Sequence, residues 1–63
     1  MVRYSVASSN IASIGYDAPS QTLEVEFQSG AIYQYYGVPE NIHQQLMQAG
    51  SKGQFLNTYL KNA

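Results

Sequence analysis

Cysteine is missing from this chain, and so is tryptophan. Without thiols there is no disulfide staple and no thiolate metal site, an absence that fits a reducing compartment. Basic residues are nearly as scarce: Arg3, Lys52 and Lys61 stand against Asp17, Glu24, Glu26 and Glu40, for a net charge of -1. If all three met phosphates, the slope of log affinity on log salt would reach only about 3. No duplex DNA partner is therefore expected. Long apolar runs are absent as well, whereas a membrane-spanning helix needs about 20 such residues. The start, Met1 to Val6, carries one positive charge and turns polar at Ala7-Ser8-Ser9-Asn10, so it holds no signal-peptide core. The expected location is cytoplasmic, with no membrane partner.

What remains is a short chain rich in tyrosine. Its 63 residues make one domain, 1–63, and a domain this small hides only about 60% of the surface its unfolded form exposes. Self-association is the available route to further stability. Six Tyr and two Phe make up 13% of the sequence. Such residues fill the core of a small domain, or else stack bases and anchor proteins.

The first half is β-like. Leu23 to Phe27 alternates apolar and acidic with period 2, which sends Leu23, Val25 and Phe27 to one face. Asp17-Ala18-Pro19-Ser20 is turn chemistry, so a strand over Ile11 to Tyr16 should precede it. Gln28-Ser29-Gly30 leads into a further strand, Ala31 to Tyr36. A two-residue loop at Ser29-Gly30 would pair Phe27 with Ile32 and require positive φ at Ser29. A three-residue loop closed by a glycine bulge pairs Val25 with Tyr33 and Leu23 with Tyr35, and gathers the apolar residues on one face. The second register is preferred. It turns Tyr33 and Tyr35 partly into the core, and Ile32, Gln34 and Tyr36 outward. Met1 to Val6 also alternates, and residues 1–9 are left open between a short edge strand and a loose segment.

The second half is helical. Pro39 suits a first helical position, Glu40 complements the helix dipole, and Val38, Ile42, Leu46 and Ala49 recur as a stripe. Gly50 reads as a C-terminal cap, and Ser51 with Gln54 as a capping box for a second helix whose apolar side is Phe55, Leu56, Tyr59 and Leu60. The expected fold is α+β: a three-stranded antiparallel meander covered on one face by two C-terminal helices, with an extra N-terminal edge strand left open.

Taken in order, Ser8-Ser9-x-Ile11, Ile14-Gly15-Tyr16-Asp17, Leu23-x-Val25-x-Phe27, Ser29-Gly30, Tyr33-x-Tyr35, Val38-Pro39, Leu46 and Ser51-x-Gly53-x-Phe55-x-Asn57 resemble the KTSC domain. That family is named for the C-terminal domain of some lysyl-tRNA synthetases and also occurs as stand-alone bacterial proteins. The resemblance implies an uncharacterised module with no assigned activity, and an association with RNA or tRNA through the synthetases. Similar sequences run on past the second helix into a short aromatic and basic tail.

No acid–base set converges by spacing. His43 is the sole histidine, and Glu40-x-x-His43 supplies two groups on one helical face where a metal site needs more. His43 is expected as an exposed helix residue, and neither a catalytic site nor a cofactor is expected. Glu24 and Glu26 read as solubilising residues on the outer sheet face, where they would repel phosphate. Tyr33 and Tyr35 are read as a half-buried pair against Leu23 and Val25, with a stacking platform as the alternative. Ile32 and Tyr36 form an outward apolar patch that fits a protein partner, a second copy of the chain, or a covering by Val2, Tyr4 or Val6. Ser51, Lys52 and Gly53 at a helix start are a candidate anion site, and Gly53 marks a close approach to another element. Asn57 is expected to bond a neighbouring loop's backbone. These residues describe a noncatalytic interaction module, RNA-associated by resemblance; the alternative is a protein–protein adaptor or small homodimer using the outer face and the sheet edge.

Overall fold

The computed structural model describes residues 1–60, so Lys61 lies outside the described residues, as does the side chain of Leu60. Four strands, not three, form one antiparallel sheet in the order β1-β2-β3-β4: β1 (Arg3–Ser5), β2 (Ile11–Asp17), β3 (Thr22–Phe27) and β4 (Ile32–Tyr35). The added strand is the N-terminal segment. It pairs Arg3 with Gly15, Tyr4 with Ile14 and Ser5 with Ser13, and being three residues long it left only a faint period in the sequence. Two helices follow, α1 (Glu40–Gln48) and α2 (Lys52–Leu60).

The hairpin between β3 and β4 has the three-residue loop. The Gly30 amide donates to the Phe27 carbonyl at 2.9 Å, the Phe27 amide donates to Ala31 at 2.8 Å, and Gly30 sits at φ 95°. A left-handed residue at that point is what lets Val25 face Tyr33 and Leu23 face Tyr35. Cross-strand rows then alternate between faces. One row, Tyr4–Ile14–Val25–Tyr33, and its neighbour, Tyr16–Leu23–Tyr35, face the helices.

The core is Ile11, Ile14, Leu23, Val25, Val38, Leu46 and Leu56, each at most 5% exposed. Burying a side chain of this size contributes roughly 1.5–3 kcal/mol. The helical layer does not reach the sheet edges. Ile14 and Val25 are buried, whereas Tyr4 and Tyr33, at the two ends of the same row, are 67% and 55% exposed. Tyr33 is thus on the expected face but not in the core, a correction that comes from the width of the helical layer and not from the register. Tyr35 is half-buried.

Helix boundaries shift slightly from expectation. Pro39 precedes α1 in an extended conformation, φ -64° and ψ 152°, and its carbonyl accepts from the Ile42 and His43 amides. At the other end, Gly50 is not left-handed: α1 stops at Gln48, Ala49 is extended, and the Lys52 ammonium donates to the Ala49 carbonyl at 3.2 Å. Ser51 does cap α2, its hydroxyl accepting from the Gln54 amide at 3.4 Å.

Candidate functional site

Polar chemistry builds a groove where the β3–β4 turn meets α2. The Ser8 hydroxyl accepts from the amides of Asn10 and Ile11, both at 3.2 Å, and folds Ser8-Ser9-Asn10 into a tight turn ahead of β2. Gln28 fastens that turn to the hairpin, its amide donating to the Asn10 carbonyl at 2.8 Å and its side chain reaching the Ser8 and Ile11 carbonyls. Across from it, α2 approaches closely because Gly53 has no side chain: a Cβ there would stand 3.3 Å from Asn10 Nδ2.

The resulting groove has a volume of about 390 Å³. Phe27, Tyr35 and Leu56 give it apolar surface, Asn10, Gln28 and Asn57 give it carboxamides, and none of the described residues that line it is charged. Tyr33 stands edge-on to Phe27, centroids 5.6 Å apart and planes at 76°, which extends the aromatic surface toward solvent. Burial, with the neighbouring Tyr33 behind it, pushes the Tyr35 pKa up, so its phenol stays neutral and able to donate. Such a groove suits an uncharged planar group with hydrogen-bonding edges.

The outer face of the sheet is organised differently. Arg3, Gly15, Glu24 and Gln34 form one cross-strand row. Arg3 donates to Glu24 at 2.5 Å and to Ser13 at 3.1 Å, Ser13 donates to Glu26 at 2.9 Å, Gln34 donates to Glu24 at 2.8 Å, and the Tyr36 phenol donates to Gln34 at 2.9 Å. The two glutamates therefore serve as acceptors in a polar ladder across all four strands. That role needs Arg3 in the same cross-strand row as Glu24, which no local pattern announced.

Residues 7–63 match the KTSC domain. The chain belongs to the KTSC domain family. It is 46% identical over 61 residues to an uncharacterised protein of Stutzerimonas stutzeri, covering 97% of this chain and 86% of that one. A lysine–tRNA ligase of Nostoc punctiforme matches at 42% identity over 51 residues, which is 81% of this chain but 9% of the ligase. The crystal structure of a KTSC domain protein from Yersinia pestis superposes with a TM-score of 0.93 at 48% identity, covering 97% of this chain and 86% of that one.

Set in the KTSC fold, the residues singled out in the sequence fall into three places. Tyr35, Gly53 and Asn57 line the groove, with Tyr33 beside it. Asn57 is exposed there, where a bond to a loop backbone was expected. Ser51 and Lys52 lie next to the groove in a polar hollow shared with Ser8, Ser9 and Asn10, but Lys52 is turned to Ala49. Ile32 and Tyr36 are on the opposite face at the β4 edge, 50% and 72% exposed. Val2 and Tyr4 do not cover them, because β1 occupies the far edge of the sheet. Asn10, Phe27, Gln28 and Leu56 are groove residues that the sequence did not assign to a site; the bare helical position at Gly53 was the one signal pointing to them.

His43 is not exposed as expected. It is half-buried and stacks on Tyr16, centroids 4.5 Å apart and planes at 8°, while the Tyr16 phenol donates to the Val38 carbonyl at 2.5 Å. Burial pulls the His43 pKa down, opposed by Glu40. Among the described residues, no three His, Asp or Glu side chains cluster closely enough to hold a metal ion. No described helix is long and apolar enough to cross a membrane.

Proposed function

We propose that this KTSC domain is a noncatalytic RNA-binding accessory module that seats an unstacked base in the groove between the β3–β4 turn and α2. The observation that carries this reading is that two aromatic side chains, Phe27 and Tyr35, line the groove together with three neutral carboxamides, Asn10, Gln28 and Asn57. Stacking on such aromatic rings is worth about 1–3 kcal/mol per base. Side-chain amides both donate and accept, which matches the edges of a splayed base in single-stranded RNA. The occurrence of a similar segment within lysine–tRNA ligases supports an RNA setting. With three basic residues in the chain, phosphate contacts add little, and binding responds weakly to salt.

The test is a titration of isotope-labelled protein with single-stranded RNA and with tRNA at low salt. Shifts are expected at Asn10, Phe27, Tyr35, Gly53 and Asn57, with Tyr35→Leu weakening binding by about tenfold, the equivalent of about 1.4 kcal/mol of lost stacking. A spectrum unmoved at those five residues would remove this reading.

A further inference from the structure

The free edge of β4 carries neither of the two side-chain devices, a charge or a proline, that keep a sheet edge from pairing. Ile32–Tyr35 contains no charged residue and no proline, whereas natural edges are normally blunted by one or the other. The opposite edge, β1, is three residues long and carries Arg3. The backbone groups that β4 presents follow from its pairing with β3. Phe27 bonds Ala31 across the ladder, so the alternation of an antiparallel pair makes Val25–Tyr33 and Leu23–Tyr35 the other bonded pairs. The N–H and C=O groups of Ile32 and Gln34 are thereby turned away from β3. Three large side chains, Ile32, Tyr33 and Tyr36, are at least half exposed around them.

We propose that β4 pairs antiparallel with β4 of a second copy of this chain, about a twofold axis at Tyr33, and so joins two four-stranded sheets into one. Ile32 then exchanges two backbone bonds with the partner's Gln34, and symmetry doubles the set. Centring the axis on Ile32 or Gln34 instead would set the other of these two residues against one outside the strand. Side-chain shape selects the same register. Tyr35 falls opposite the partner's Ala31, and the two Tyr33 rings form a close cross-strand pair.

Charge favours a second copy over a charged partner strand. The nearest ionised groups, Glu24 and Glu26, are held by Arg3 at 2.5 and 3.8 Å, so like charges do not meet across the axis. A strand carrying its own charges would find no counter-charge on this edge. Pairing also relieves the burial deficit of so short a chain. The inference stands on the sheet edge and does not depend on the groove.

Sedimentation equilibrium from micromolar to millimolar protein, read together with amide hydrogen exchange, tests it. The mass should rise from 7.0 kDa toward twice that value. Over the same range the amides of Ile32 and Gln34, which face water in a single copy, should slow by about tenfold or more. Ile32→Lys places a charge on the edge opposite Glu26 and should keep the chain folded and single at every concentration. Should that variant fail to fold, the exchange measurement on the unaltered chain decides alone. A constant 7.0 kDa at millimolar concentration overturns the proposal and leaves the edge to a strand from another protein. A dimer in which the Ile32 and Gln34 amides exchange as fast as in dilute protein overturns it too.

Discussion

Arg3 and Glu24 belong to strands separated by a third, yet guanidinium and carboxylate meet at 2.5 Å because the residue between them is Gly15. A Cβ at Gly15 would stand 2.6 Å from the Val2 carbonyl oxygen and 2.9 Å from Arg3 Cγ. The missing side chain is what lets Arg3 lie flat across β2. Gly15→Ala should therefore push β1 off the sheet and cost about 1–3 kcal/mol, as overpacking does. Urea denaturation should show a lower midpoint, and amides in β1 should lose protection; an unchanged midpoint would contradict this account.

Acid should weaken the same ladder. The hydrogen bond from Gln34, and then that from Arg3, hold the Glu24 carboxyl below the usual glutamate range. A depressed folded pKa means that the stabilisation is complete above the unfolded value, about 4.3, and is lost as pH falls through the folded value. Glu24→Gln should be less stable than the parent at neutral pH, and the two should converge in acid. Denaturation midpoints measured across that range provide the check.

The Tyr16–His43 stack gives a second pH dependence. Burial lowers the His43 pKa, so the unfolded chain takes up a proton there more readily than the folded one. Stability from this residue is complete above the unfolded value of about 6.5 and declines as pH falls through the folded value. A histidine titration by NMR should place His43 below the unfolded value, and His43→Phe, which keeps the stack, should flatten the slope. A titration at or above the unfolded value would refute the burial argument.

Leu46 is fully buried at the centre of α1's inward face. Truncation to Ala at such a site costs about 2–5 kcal/mol. A domain of this size has a total stability of roughly 3–9 kcal/mol at the usual per-residue values. Leu46→Ala should leave much of the chain unfolded at 37 °C, which far-UV circular dichroism would show. Gln45→Ala, at an exposed position on the same helix, should differ little from the parent.

Much of the fold is legible because it is written in short-range patterns. The period-2 run from Leu23 to Phe27, the Asp17–Ser20 turn, Gly30 and the Val38–Leu46 stripe each report a backbone choice made within a few residues. The hairpin register follows from Gly30 in the same way. The groove is different: Asn10, Gln28 and Gly53 come from three distant segments, and their meeting is carried by the Gln28 bonds to the Ser8–Ile11 turn. No pattern within any one segment encodes it.

The amino-acid order alone favoured the assignment of β3 and β4 side chains to the two sheet faces, because side-chain alternation along a strand and the left-handed glycine of a turn are local steric facts. How far the helices extend over the sheet was decided only by packing. That extent leaves Tyr33 in solvent while Val25, its neighbour in the same row, is sealed. The reach of Arg3 across Gly15 and the stacking of His43 on Tyr16 were likewise settled in three dimensions. Each joins elements whose separation along the chain carries no information about their distance in space.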